Sequence, residues 1–335
     1  MKKLMNLICV TIALLMVFAW CGSGQSSQPT TPAAPAANAG NQPVIGFSNV
    51  TMTTPFYRTL CDNAQTVMEG LGARVIVLDA QNDITKQNND IADFVTQGVD
   101  AIIINPVDPD GVAPSLRIAE AAGIPVFSVD RPVSGGTVTA HIGRENRDMG
   151  RLMGDLAVEL LGGVGNANGK IVEIMGAAGC MVQEARSAGF HDAVDAESGL
   201  TVVQTPFCDY ELAKAVMAMQ DIVQAHRDIV LVYAHNDDMG IGGLQVLTQN
   251  GIDAYVVSVD GLMEAVKMIA DPDSKYSGTT INDPILFGVI LGETVMKVLD
   301  GQSVPAFVDA GTGTINKANA AQFVDDNLMY APAAR

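Results

Sequence analysis

Ser48, Asp130, Asn236 and Asp260 each close a short apolar run, and these are the residues of the chain best suited to chemistry. The four runs cover residues 44–48, 126–130, 229–236 and 256–260. Carboxylates accept hydrogen bonds, while Asn and Ser both donate and accept. Arg131 follows Asp130 directly, so a donor fork stands beside an acceptor. Phe56, Tyr57 and Tyr210 add flat faces in a chain that is only 5% aromatic. Acceptors, donors and an aromatic face together suit a polyhydroxylated ring: its hydroxyls need both partners and its CH groups need an apolar cover. Asp or Asn after a strand can also be a plain helix cap, and Asp79 and Asp237 read that way.

The elements that must position these side chains repeat. Four more apolar runs cover 75–79, 102–105, 171–176 and 202–206. Short, continuous apolar runs mark strands buried on both faces of a parallel sheet, and a helical stretch follows each one. The fold class is therefore α/β, with two doubly wound parallel-sheet lobes. In such sheets ligands bind beyond the carboxyl ends of the strands, where all four polar residues fall.

The first helix is expected from Pro55 to about Gly70, with Phe56, Leu60, Ala64, Val67 and Leu71 facing inward. Helices over 84–97 and 113–122 each close before a Gly. A short strand over 138–142 ends the first lobe. The second lobe opens with a helix over 145–161 and continues to a helix over 261–270, a strand over 276–281 and a helix over 285–299. The tail from Val304 carries at least one further strand.

The N-terminus is targeting rather than fold. Lys2 and Lys3 precede the apolar run 7–20, which is short for a membrane span. Cys21 follows, and the order resembles a bacterial lipoprotein signal over 1–21, with Cys21 as the lipidated residue. Trp20 departs from the small residue usual before that Cys. Residues 22–43 hold no charge and no aromatic and read as a disordered tether. The chain is thus expected outside the cytoplasm, in the periplasm or on the outer face of the membrane.

A net charge of −18 excludes a nucleic-acid partner, which needs clustered Lys and Arg. There is no GxGxxG after a strand, no GxxxxGK[ST] and no GxSxG, so no nucleotide loop or nucleophile elbow is present. His141, His191, His226 and His235 are scattered and no Cys/His ligand spacing occurs, so no metal and no cofactor are expected. Cys180 and Cys208 each follow a strand of the second lobe, which leaves a disulfide between them open. A binder is favoured over an enzyme.

Residues 44–57, 102–106, 124–131 and 232–242 resemble the type I periplasmic sugar-binding proteins of ABC importers. The phrase Val-Tyr-Ala-His-Asn-Asp-Asp-Met over 232–239 and the pair Tyr57-Arg58 are similar to the galactofuranose-binding type. Ile-Pro-Val-Phe-Ser-Val-Asp-Arg over 124–131 is common to the ribose and galactofuranose types. The resemblance runs from about Val44 to Gly301. It implies a monomer that closes around one monosaccharide, pentose or hexose, in pyranose or furanose form, and docks on separate ABC permease subunits.

By position, the resemblance implies ligand contacts at Ser48, Phe56, Tyr57 and Arg58. It makes Asp130 and Arg131 a clamp on the ring and Arg186 the second lobe's Arg. Tyr210 falls at a stacking position, Asn236 and Asp260 at further polar contacts, and Asn282 at the hinge. Three crossings between lobes are implied, near 142–145, Asn282 and 309–314. The N-terminal lobe would then hold 44–142 and 283–309, and the C-terminal lobe 143–282 and 310–335. The loop 49–54 is longer than in the ribose type, Thr54 replaces an Asn, and Val259 replaces an aromatic. These departures leave the sugar open. A nucleoside, a furanosyl signal molecule or a sensory role would use the same cleft.

Overall fold

The computed structural model describes residues 42–333. The expected leader, Cys21 and the tether up to residue 41 lie outside the described residues. The first sheet is built from β1 (Val44–Asn49), β2 (Arg74–Asp79), β3 (Ala101–Ile104), β4 (Val126–Val129), β5 (Ala140–Gly143) and β11 (Phe307–Asp309). Its spatial order is β11-β5-β4-β3-β1-β2. The second sheet takes β6 (Asn168–Ile174), β7 (Gly199–Gln204), β8 (Ile229–Ala234), β9 (Tyr255–Asp260), β10 (Tyr276–Ile281) and β12 (Thr314–Asn316), in the order β12-β10-β9-β8-β6-β7. The two orders are equivalent strand for strand, so the lobes repeat one topology. Among the named strands of the described residues only β10 with β12 pairs antiparallel.

The sheets form because their strands are apolar on both faces. In β8, Leu231 and Tyr233 join the core under one helical layer, while Val232 and Ala234 join the core on the other side. In the first lobe, α1 (Pro55–Gly70) and α9 (Pro284–Leu299) cover one face, and α2 (Ile84–Gln97) and α3 (Ala113–Ala121) cover the other. In the second, α4 (Asn146–Leu160) and α5 (Met181–Val194) cover one face. The other face carries α6 (Leu212–Ala225), α7 (Asp237–Gln249) and α8 (Met263–Ala270).

The chain passes between lobes three times. It leaves the first sheet after β5, returns after β10 into α9, and crosses again between β11 and β12. The last two strands are edge strands of three residues each.

Two helical expectations need correction. The buried face of α1 is Tyr57, Leu60, Cys61, Ala64 and Met68, while Leu71 lies past the helix and is 56% exposed. The buried stripe is rotated toward Tyr57 and Cys61, while α9 lies against the flank that carries Leu60, Asn63, Ala64 and Val67. The helix after β9 begins at Met263 rather than Gly261, which has φ 76° and belongs to the turn.

The α4–α5 contact is unusually close and sets the position of the cleft helix. A Cβ on Gly189 would stand 1.8 Å from the Arg147 carbonyl oxygen, and one on Gly150 would stand 2.0 Å from that of Arg186. Only residues without side chains let these backbones meet.

Candidate ligand-binding cleft

The strand ends of both sheets open into one cleft of about 880 Å³. Its lining includes Phe56, Tyr57, Asp130, Arg131, Arg186, Tyr210, Asn236, Asp260 and Asn282. The backbone is forced into rare conformations at this place. Asp130 has φ 60°, Tyr210 φ 62° and Asp260 φ 135°, all in the left-handed half of φ space for residues with a Cβ. Such positions cost about 1–3 kcal/mol each and cluster at functional sites.

In the first lobe, the Tyr57 hydroxyl donates to Asp130 Oδ2 at 3.2 Å and accepts from Arg131 Nε at 3.2 Å. The guanidinium carbon sits 5.8 Å from the Tyr57 ring centroid. The ring belongs to the buried stripe of α1, so the hydroxyl is held by the core and in turn holds the acceptor beside the donor. Burial pushes the Tyr57 phenol well above its ordinary value, so it stays a neutral hydroxyl. The Arg131 guanidinium makes no other hydrogen bond among the described residues, which leaves its two terminal nitrogens as a fork toward the cleft.

The second lobe presents a counterpart. Arg186 Nε donates to Asn146 Oδ1 at 2.9 Å, and Nη1 donates to the His235 carbonyl oxygen at 2.6 Å. Asp260 Oδ1 lies 3.8 Å from Nη1 and accepts from Asn282 Nδ2 at 2.9 Å. Asn236 is both cap and lining: its Oδ1 accepts from the Met239 amide at 3.0 Å, and its Nδ2 donates to the Tyr210 carbonyl at 3.2 Å. The Tyr210 ring packs on Gly176, where a Cβ would meet it at 2.6 Å.

Beneath Arg186 lies a buried network. Glu173 accepts from His235 Nε2 at 2.8 Å, His191 Nε2 at 3.1 Å and Gln204 Nε2 at 2.8 Å. Burial opposes the Glu173 charge, but the hydrogen bonds from His191 and His235 outweigh it and hold the carboxyl well below its usual range. The hydrogen bond to Glu173 pushes His191 up to about 9, whereas burial pushes His235 down. His191 is thus the charged partner, and His235 a neutral donor that also accepts the Gly176 amide at 3.2 Å.

Ser48 and Arg58 do not reach the cleft. Ser48 is fully buried and donates to Asp90 at 3.2 Å, because β1 continues to Asn49 and Ser48 points to the α2 side. Arg58 is exposed and donates to the Met52 carbonyl at 2.8 Å. Successive helical residues are about 100° apart, so with Tyr57 turned inward its neighbour faces solvent. Cys180 and Cys208 are both buried free thiols, so the disulfide is not formed. Cys180 instead accepts from the Tyr210 hydroxyl at 3.6 Å.

Asp237 also departs from its reading as a simple cap. It is 0% exposed and accepts from Ser258 Oγ, from Thr279 Oγ1 at 2.8 Å and from the Leu262 amide at 2.6 Å. Burial pushes the Asp237 and Asp260 carboxyls up. Asp238, Thr51, Thr53 and Cys180 also line the cleft, and the sequence marked none of them as a ligand contact. The rule that ligands meet strand ends covers them only if extended into the loops that follow each strand.

Residues 45–303 match the family described as periplasmic binding protein domain. The chain belongs to that family. This periplasmic binding protein is 33% identical over 312 residues to the ribose import binding protein of Bacillus subtilis, covering 92% of this chain and 97% of that one. It is 30% identical to the galactofuranose-binding protein of Escherichia coli over 246 residues, 70% of this chain and 76% of the relative. An ABC transporter solute-binding protein from Mycobacterium smegmatis, solved with bound glycerol, superposes with a TM-score of 0.83. That structure is 48% identical and the match covers 88% of this chain and 100% of it. The family is one of solute binders, not of enzymes, which agrees with a cleft built of hydrogen-bonding pairs. Among the described residues of this periplasmic binding protein, no helix is long and apolar enough to cross a membrane.

Proposed function

We propose that this periplasmic binding protein is the substrate-binding component of an ABC sugar importer and takes a single monosaccharide, pentose or hexose, in its cleft. One observation carries the reading. Each lobe contributes an acidic acceptor beside an Arg donor, Asp130 with Arg131 and Asp260 with Arg186, under the rings of Phe56, Tyr57 and Tyr210. A ring with hydroxyls on both edges satisfies both pairs only when the lobes close on it, so ligand shifts the population toward the closed form. Charge-assisted hydrogen bonds contribute about 1.5–3 kcal/mol net apiece, and a few of them support micromolar binding, about −8 kcal/mol.

Relatives named for ribose and galactofuranose agree with that ligand class. Asp130, Arg131, Arg186, Tyr210, Asn236, Asp260 and Asn282 form the sugar contacts in this reading, with Phe56 as cover and Tyr57 as support. The closed protein meets the permease as a monomer, held at the outer membrane face by a lipid on Cys21. The test is a thermal-shift screen of the protein against D-ribose, L-arabinose, D-galactose, D-fructose, myo-inositol and adenosine. Ligand at about a thousand times Kd stabilises the native state by about 4 kcal/mol. A rise in Tm with one sugar supports the reading. A rise with adenosine alone moves the ligand to the nucleosides, and flat curves throughout a saturating series refute it.

A further inference from the structure

Arg144 lies on the first crossing between the lobes and is 5% exposed. Its guanidinium reaches all three crossings at once. Nε donates to the Gly311 carbonyl at 2.6 Å, on the crossing between β11 and β12. Nη1 donates to Asn282 Oδ1, and Nη2 donates to the Asp283 carbonyl at 2.9 Å, both on the crossing after β10. The Phe287 ring lies beneath the group at 4.5 Å. Burial pushes the guanidinium down to about 10, so it is charged at neutral pH.

The surroundings make these bonds obligatory. The direct partners are two carbonyls and an amide oxygen, not a carboxylate. A buried cation left without acceptors is costly, so moving any one crossing away from the others leaves part of the group unsatisfied. Asn282 links this unit to the cleft, because the amide that accepts from Arg144 donates through Nδ2 to Asp260. Asn146 closes the loop: it donates to the Arg144 carbonyl at 3.2 Å and accepts from Arg186. Arg144 therefore touches, through one intermediate each, both members of the second lobe's acceptor–donor pair.

We infer that Arg144 is the positioning residue of the hinge: its guanidinium binds the three crossings into one moving unit and relays ligand contact at Asp260 to them. The relay rests on the sugar-binding reading above; the binding together of the crossings does not.

Hydrogen exchange of the full protein separates the two. Each crossing has a reporter amide: Asn146 bonded to the Arg144 carbonyl, Asn282 to that of Asp260, and Ala310 to that of Gly143. Ile103 and Val232 report on the two sheets. In ligand-free Arg144→Met, exchange at all three reporters should rise together by about tenfold or more, with the sheet amides unchanged. A rise confined to Asn146, an equal rise in the sheets, or no rise overturns the proposal. Should the Met variant fail to fold, Arg144→Lys carries the same test, since an ammonium keeps the charge but cannot span three crossings.

The relay is read with D-ribose as probe. D-ribose should slow all three reporters in the natural protein and Asn282 alone in the variant, a pattern that loss of stability does not produce. Equal slowing of all three in the variant removes the relay. If D-ribose leaves the natural protein unprotected, ribose is not the ligand and the relay is read with the sugar that raises Tm in the thermal screen, while the ligand-free comparison still decides the role of Arg144.

Discussion

Replacing Gly189 by Ala should damage binding from a position outside the cleft. A Cβ there begins 1.8 Å from the Arg147 carbonyl oxygen, and ordinary contact starts at 3.4 Å, so α5 must withdraw from α4 by about 1.6 Å. The obstruction is backbone, which cannot swing aside. Arg186 rides on α5 and is bonded to Asn146 on α4 at 2.9 Å. The same withdrawal stretches that bond to about 4.5 Å, beyond hydrogen-bonding reach. Overpacking costs about 1–3 kcal/mol, and loss of the charge-assisted bond adds about 1.5–3 kcal/mol. Guanidinium unfolding should therefore show a midpoint shift worth several kcal/mol, and calorimetric titration a Kd weakened by about tenfold or more. Gly70→Ala is the control: nothing lies within 4 Å of its Cβ position, at the last residue of α1. It should be neutral or slightly stabilising. A Gly189→Ala protein with unchanged midpoint and Kd would refute the claim that helix approach positions Arg186.

Asp130→Ala should abolish sugar binding in calorimetry while the unfolding midpoint stays near that of the natural protein, because it removes the first lobe's acceptor but no core side chain. Tyr57→Phe keeps the ring and deletes the hydroxyl that bridges Asp130 and Arg131. It should weaken Kd by about 5–30-fold, the worth of about 1–2 kcal/mol, and an unchanged Kd would show that the clamp needs no bridge. His191 is pushed up to about 9 from an ordinary 6.5. The folded state binds that proton more tightly, so its stabilisation is complete below about pH 6.5 and is lost as pH rises through about 9. His191→Gln should flatten the Tm profile over that window, and a profile identical to the natural protein's would exclude His191 as its source.

The lobes were legible because their strands are apolar on both faces and their helices are punctuated by Pro and Gly. Runs such as Ile102-Ile103-Ile104 admit few readings, and helix 84–97, read as closing before Gly98, has those bounds in the structure. The cleft was legible because topology puts strand ends together. Asp130, Asn236 and Asp260 follow from that rule alone, whereas Arg186, mid-helix, came only with the family resemblance. What was not legible depends on packing between distant segments. The choice of Tyr57 over Phe56 as the buried ring goes with its hydroxyl reaching Asp130 and Arg131, more than seventy residues away in the chain. Asp237 becomes a core carboxylate only because Ser258 and Thr279, on β9 and β10, come to surround it. Arg144 looks like any loop cation until two remote segments bring carbonyls to it.

The first lobe is interrupted in the chain. Its helix α9 packs on α1, and its strand β11 pairs with β5, yet both are encoded after almost the whole second lobe. A lobe whose missing pieces arrive last cannot complete itself as the chain is made from the N-terminal end. Pairing His141 with Phe307 requires closing a loop that contains the other lobe, and such distant contacts make folding slow. The second lobe is similarly unfinished until β12 is supplied. Sequential domain-by-domain folding is therefore closed to this protein. A truncation that removes the last thirty or so residues deprives both sheets of an edge at once, so loss of the tail is felt in both halves of the molecule.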